Sequence, residues 1–96
     1  MSAVDDRVAH WAGILYRAMR TTGEDGREEM TIFEPRLLAD LRRDEPDIDP
    51  MMPSILTYLA RMWLTPPHVF LADANARMGT TYAVDDRVAA MKFELG

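Results

Sequence analysis

"HVFLADANARMGTTYAV", residues 68–84, decides how the rest of the chain is read. "HVFLA" at 68–72 is short, apolar and β-prone, which predicts a strand. "DANARMG" at 73–79 carries Asp, Asn and Gly, the residues that favour turns. "TTYAV" at 80–84 is again β-branched and aromatic, and predicts a returning strand. Together they predict a β-hairpin with a longish tip. The tip faintly echoes a calcium loop, but its fifth position is Arg77, its glycine comes one place late, and no glutamate stands at the twelfth position. It is read as a hairpin tip, and no metal site is expected.

Toward the N-terminus, "TPP" at 65–67 stops a helix predicted over 50–64. Met52, Leu56, Leu59 and Trp63 form its apolar stripe, flanked by Met51, Ile55 and Met62. Ser54, Thr57, Tyr58 and Arg61 lie on its opposite face. Asp49 before Pro50 reads as an N-cap followed by a first-turn proline. "DEPDIDP" at 44–50 is a turn. It separates this helix from another that opens at "EPRLLADLRR" (34–43), where Pro35 suits a first turn. "MTIF" at 30–33 is a four-residue β-prone run that needs a later partner to be a strand. "TTGEDGREE" at 21–29 is a glycine-punctuated, charged loop. A first helix is predicted over 4–20, with Val4, Val8, Trp11, Leu15 and Met19 on one stripe. Ser2 and Asp5 are placed to form its capping box.

"AVDDRVA" occurs at 3–9 and again at 83–89. In the second copy Asp85 can cap a final helix over 86–95, with Val88, Met91 and Leu95 as its stripe. Val4, Val8, Trp11 and Leu15 correspond to Val84, Val88, Met91 and Leu95, so both copies present the same apolar seam. Nothing else repeats between the halves, which excludes a duplicated domain. Either similar helix starts recurred by drift, or the seams pair with each other or with a second subunit. The expected interface of a homodimer is then Val4, Val8, Trp11, Leu15, Val88, Met91 and Leu95.

Ninety-six residues make one small domain with a modest core. With 48% hydrophobic and 28% charged residues the chain is expected to fold. It has no cysteine, which removes disulfides and thiolate chemistry and is compatible with a reducing cytoplasm. The start of the chain lacks the basic end and apolar run of a signal peptide. The most apolar stretch contains Arg61 and three prolines, so no membrane span is expected.

Helix, short strand, helix, helix, strand, loop, strand, helix: that order resembles a winged helix-turn-helix domain with an added C-terminal helix. "MTIFEPRLLADLRR" looks like its first strand and second helix, "DPMMPSILTYLARMWL" like its recognition helix, and "HVFLADANARMGTTYAV" like its wing. Leu56 and Leu59, Arg77 and "YAVD" at 82–85 fill positions familiar from small regulators of the MarR and PadR kind. The resemblance implies a mainly α fold with a small β-hairpin wing, as a single domain over 1–96. It also implies DNA binding and transcriptional regulation as a cytoplasmic homodimer. Ser54, Thr57, Tyr58 and Arg61 would then read the major groove, and Asn75, Arg77 and Thr80 would contact DNA from the wing. "TPP" replaces the glycine usual after the recognition helix, and the turn before that helix is unusually acidic.

Charge pulls the other way. The net charge is −5, whereas nucleic-acid-binding domains are usually basic. Only residues 50–83 carry a positive balance, of one unit. The alternative is an interaction module that binds a protein and no DNA, with Met51, Ile55, Tyr58 and Met62 as its contact patch. Enzyme activity is not expected. His10 and His68 are lone histidines, and neither a phosphate loop nor a nucleophile motif is present. No cofactor is expected.

Overall fold

The computed structural model describes residues 6–19, 21–22, 28–29 and 33–91. Among the described residues the helices are α1 (Asp6–Met19), α2 (Pro35–Asp44), α3 (Ile48–Met62), α4 (Pro67–Met78) and α5 (Asp86–Ala89). Between α1 and α2 lies a two-residue antiparallel ladder, β1 (Thr21–Thr22) with β2 (Glu28–Glu29), pairing Thr21 with Glu29. It is the single ladder among the described residues.

α3 is the central element, and α1, α2, α4 and α5 all pack on it. Ile48, Met52, Ile55, Leu56, Leu59 and Ala60 are buried around most of its circumference. α1 brings Val8, Ala12, Leu15 and Met19, a stripe at helical spacing that faces the core. α2 brings Leu38 and Leu41. Phe33, just before α2, stacks edge-on against Phe70 of α4 with centroids 5.6 Å apart. Each fully buried Leu, Ile, Met or Phe contributes roughly 1.5–3 kcal/mol against the entropy of ordering the chain.

The hairpin expected at 68–84 is corrected here, and with it the β wing and the winged-helix class. Residues 67–78 are helical, and 80–85 have no regular secondary structure and no strand partner. The cause is local and tertiary together. Pro67 sits in the first turn, where its missing N–H costs nothing. Phe70, Leu71, Ala74 and Met78 fall at helical spacing and all point into the core. Gly79 ends the helix at φ 70, a left-handed conformation glycine adopts without strain. The Thr80 N–H then bonds to the Asn75 carbonyl at 3.0 Å. "DANARMG" is therefore the last turns of a helix and its glycine stop, not a hairpin tip.

The α3 end follows the same motif with a different residue. Leu64 takes φ 57, and the Thr65 N–H bonds to the Ala60 carbonyl at 2.9 Å. The helix start expected at Asp49–Pro50 lies two residues earlier, with Asp47 preceding Ile48 and Asp49 inside the first turn. Asp85 caps α5 as expected, accepting the Arg87 N–H at 3.0 Å. Of "MTIF", Met30, Thr31 and Ile32 lie outside the described residues, as do Ser2 and Asp5 of the expected capping box.

The repeated heptapeptide now has a mechanical meaning. Val8 and Val88, equivalent residues of its two copies, are both buried in the core beside α3. In the described part of each copy the same valine stands on a helix packed against the central α3.

Candidate functional site

Ser54, Thr57, Arg61, Asn75 and Thr80, five of the residues expected to read DNA, are hydrogen-bonded within the fold. Thr57 is 0% exposed. Its hydroxyl donates to the Pro53 carbonyl at 2.7 Å and accepts the Asp85 N–H at 2.9 Å. Ser54 donates to the Asp85 carboxylate at 2.6 Å. Arg61 donates to the Met91 carbonyl at 3.1 Å. Tyr58 is half-buried against the core. The face of α3 that looks polar in sequence is thus covered by the segment following α4 and by α5.

Asn75 does the same work from α4. Its amide nitrogen donates to the Tyr82 carbonyl at 2.8 Å. Its oxygen accepts the Thr80 hydroxyl at 2.8 Å and the Tyr82 N–H at 2.9 Å. The stretch 80–85 is held by side chains in place of a strand partner. Arg77, exposed on α4, pairs with Asp73 one turn back at 3.1 Å. No wing carries Asn75, Arg77 and Thr80.

Tyr82 also reaches Asp49 of α3, donating its hydroxyl to the carboxylate, and Arg42 of α2 holds the same carboxylate with two bonds of 2.9 Å. Burial first, and the Asp49 carboxylate second, push the Tyr82 phenol up to about 12. The Arg42 hydrogen bond, then that of Tyr82, hold the Asp49 carboxyl below its ordinary range. At Asp85 burial acts to raise the pKa, but bonds from Ser54 and Arg87 outweigh it and leave the carboxyl lowered. These groups are a structural network joining α2, α3 and the 80–86 segment.

The expected dimer seam is placed in the same way. Val8, Leu15 and Val88 are buried in their own chain's core, and Trp11 and Met91 are partly buried against it. Val4 and Leu95 lie outside the described residues. Of the expected protein-binding patch, Ile55 is fully buried and Met51, Tyr58 and Met62 are half-buried against the core. Val8, Leu15 and Val88 are interior because α1 and α5 pack them against α3. His10 and His68 are both exposed, on α1 and α4. Among the described residues no three His, Asp or Glu side chains converge as a metal site. None of the described helices is long and apolar enough to cross a membrane.

The exposed apolar surface lies elsewhere. Leu64 is 78% exposed and Val69 62%, at the α3–α4 turn and the first turn of α4. Along α4, Val69, Ala72 and Ala76 are all exposed and share one line of the helix. The outward residues of α1 and α2 include Asp6, Arg7, His10, Arg17, Arg36, Arg42 and Arg43. Beside this face runs an open groove of about 370 Å³, lined by Leu71, Ala72, Ala83 and Val84 together with the polar His68, Asn75, Tyr82 and Asp86. Sequence reading missed this surface because it took 68–72 as a strand and placed Leu64 at the end of a helix with nothing to mark its exposure.

No family model, curated protein or solved structure matches the chain.

Proposed function

We propose that the chain is a small helical protein-interaction domain whose contact surface is the α3–α4 turn and the outer face of α4. One observation carries the reading. Leu64 holds a left-handed backbone, which costs a leucine about 1–2 kcal/mol relative to a right-handed one. Its side chain is 78% exposed, so burial within the fold offsets little of that. Backbone strain retained without internal compensation points to a function for the side chain it displays. Val69, Ala72 and Ala76 extend the surface along α4.

The domain binds rather than transforms, in the cytoplasm, without cofactor or metal. Nucleic acid fits the arrangement less well. The positive residues assigned to that role, Arg61 and Arg77, are engaged with the Met91 carbonyl and with Asp73, and the chain carries a net charge of −5.

A photo-crosslinking residue at position 76 tests the reading in the cells that make the protein. It is expected to yield a discrete protein adduct that Leu64→Gly abolishes, while the same residue at position 39, on the exposed side of α2, yields none. Equal adducts from both positions, or adducts indifferent to Leu64→Gly, overturn it. Retardation of mixed DNA fragments at low salt, lost in Arg61→Ala, would return the nucleic-acid reading instead.

A further inference from the structure

We infer that residues 80–91 form a releasable clasp, which swings off α3 as one unit about Gly79 while α1–α4 stay folded.

The clasp is held differently from the rest of the fold. Val88, 1% exposed, is its one fully buried apolar side chain. Tyr82, Val84 and Met91 are only partly buried against the core. The other buried apolar residues are Phe33 and members of α1–α4, so the core is nearly complete without the clasp. From Tyr82 onward, each hydrogen bond to α2, α3 or α4 among the described residues uses a side chain. Asn75 bonds to Tyr82, Tyr82 to Asp49, Ser54 and Thr57 to Asp85, and Arg61 to Met91. The N–H groups of Ala89, Ala90 and Met91 bond within the clasp itself, to Asp85, Asp86 and Val88. Gly79, at φ 70, ends α4 where the clasp begins, so neither a ladder nor a continuous helix joins the two. An element with so few buried apolar contacts opens at less than the cost of global unfolding.

The face beneath suits water as well as its cover. Ser54, Thr57, Tyr58 and Arg61 form the side of α3 that its sequence pattern assigns to solvent. In the closed fold Thr57 is 0% exposed. Lifting the clasp uncovers hydroxyls and a guanidinium that water solvates. That costs less than uncovering an equal apolar area. The cover itself shows what chemistry the open face takes: a carboxylate on Ser54, an N–H on Thr57 and a carbonyl on Arg61. The clasp is thus an autoinhibitory contact that fills these positions from within the chain until it opens.

Native-state amide exchange of the full chain, corrected for intrinsic rates, tests this. The Tyr82, Asp85 and Ala89 amides should share one opening free energy. They should exchange at least about tenfold faster than those of Leu56 and Leu59 in α3. Leu15→Val, a mild truncation in α1, weakens the closed and open forms alike. It should therefore speed Leu56 and Leu59 and leave the three clasp amides unchanged. Val88→Ala weakens the closed form alone and should speed all five by one factor. The chain has no cysteine, so the thiol of Thr57→Cys reports uncovering directly. It should react faster with a thiol reagent than that of Ala12→Cys, at a fully buried position of α1. Clasp amides accelerated by Leu15→Val as much as Leu56 and Leu59 would show that opening is global unfolding, and overturn the inference. So would a Val88→Ala effect confined to Ala89, the mark of a fraying end, or equal reaction of the two thiols.

Discussion

α3 and α4 end in the same backbone motif with opposite residues. Both close on a left-handed residue, Leu64 at φ 57 and Gly79 at φ 70. In both, the next N–H returns to the carbonyl five positions back, Thr65 to Ala60 and Thr80 to Asn75. Gly79 is the residue the geometry favours, and it leads into a stretch that Asn75, Thr57 and Ser54 fasten down. Leu64 is the residue the geometry disfavours, and its side chain stands 78% exposed. One end is built for stability. The other gives up stability and displays a hydrophobic group, and that difference is what the proposed contact surface at the α3–α4 turn rests on.

The largest effect expected from perturbing this pair is at the fastened end. Asn75→Ala removes three hydrogen bonds that hold Thr80 and Tyr82, and should cost about 2–3 kcal/mol. Denaturant unfolding measures it. A loss below half a kilocalorie would mean that the 80–85 stretch is secured by apolar packing alone. Gly79→Ala comes next. Nothing crowds an added Cβ there, so the whole cost is conformational, about 1–2 kcal/mol. A neutral result would show that this helix end relaxes out of the left-handed region.

The third perturbation should act in the opposite direction. Leu64→Gly relieves the strain of a non-glycine residue at positive φ, and loses part of that gain to the greater freedom of glycine in the unfolded chain. The melting free energy should rise by about 0.5–1 kcal/mol. Destabilisation would mean that the leucine packs inside the fold after all, and would remove the argument that it is displayed for a partner.

Several single helices were legible in the sequence, but the fold class was not, since the expected hairpin is a helix. The stripes of α1 and α3, the first-turn proline of α2 and the Asp85 cap all lie where periodicity and capping chemistry put them. α4 was not, because Val69, Phe70 and Leu71 are β-prone and Asp73 and Asn75 favour turns. The competing signal was Pro67 and Gly79 bracketing Phe70, Leu71, Ala74 and Met78, and contact with α2 and α3 lets it prevail. For a short apolar run, periodicity does not separate strand from helix, and the helical length between proline and glycine does. The site was illegible for a related reason. Ser54 and Thr57 face away from the main apolar stripe of α3, which normally means solvent. In a central helix that side is covered by another layer, and no single-helix pattern reveals it. Leu64 carries no local mark at all, since its conformation is imposed by how α3 stops.

The smallest expected effect is on pH dependence, and it separates the two helix ends most cleanly. Asp49 and Asp85 have lowered pKa values in the folded chain. They bind protons more weakly folded than unfolded. Their contribution to stability is therefore complete above the ordinary carboxylate range, about 4, and is lost as pH falls through the lower folded values. Tyr82 is pushed up to about 12, so its neutral phenol is favoured by folding. That contribution is complete below about 10 and is lost as pH rises toward the folded value. Melting temperature should thus be flat between the two limbs. Asp85→Asn should soften the acid limb, and Tyr82→Phe the alkaline one. All three groups touch or belong to the segment that follows α4, or hold α2 and α3 to it, and none bonds to the Leu64 turn. Amide exchange of Thr80, corrected for its intrinsic pH dependence, should accelerate on the acid limb before that of Thr65. If the two amides lose protection together, the ends of α3 and α4 form one cooperative unit, and the contrast between a fastened end and a displayed one fails.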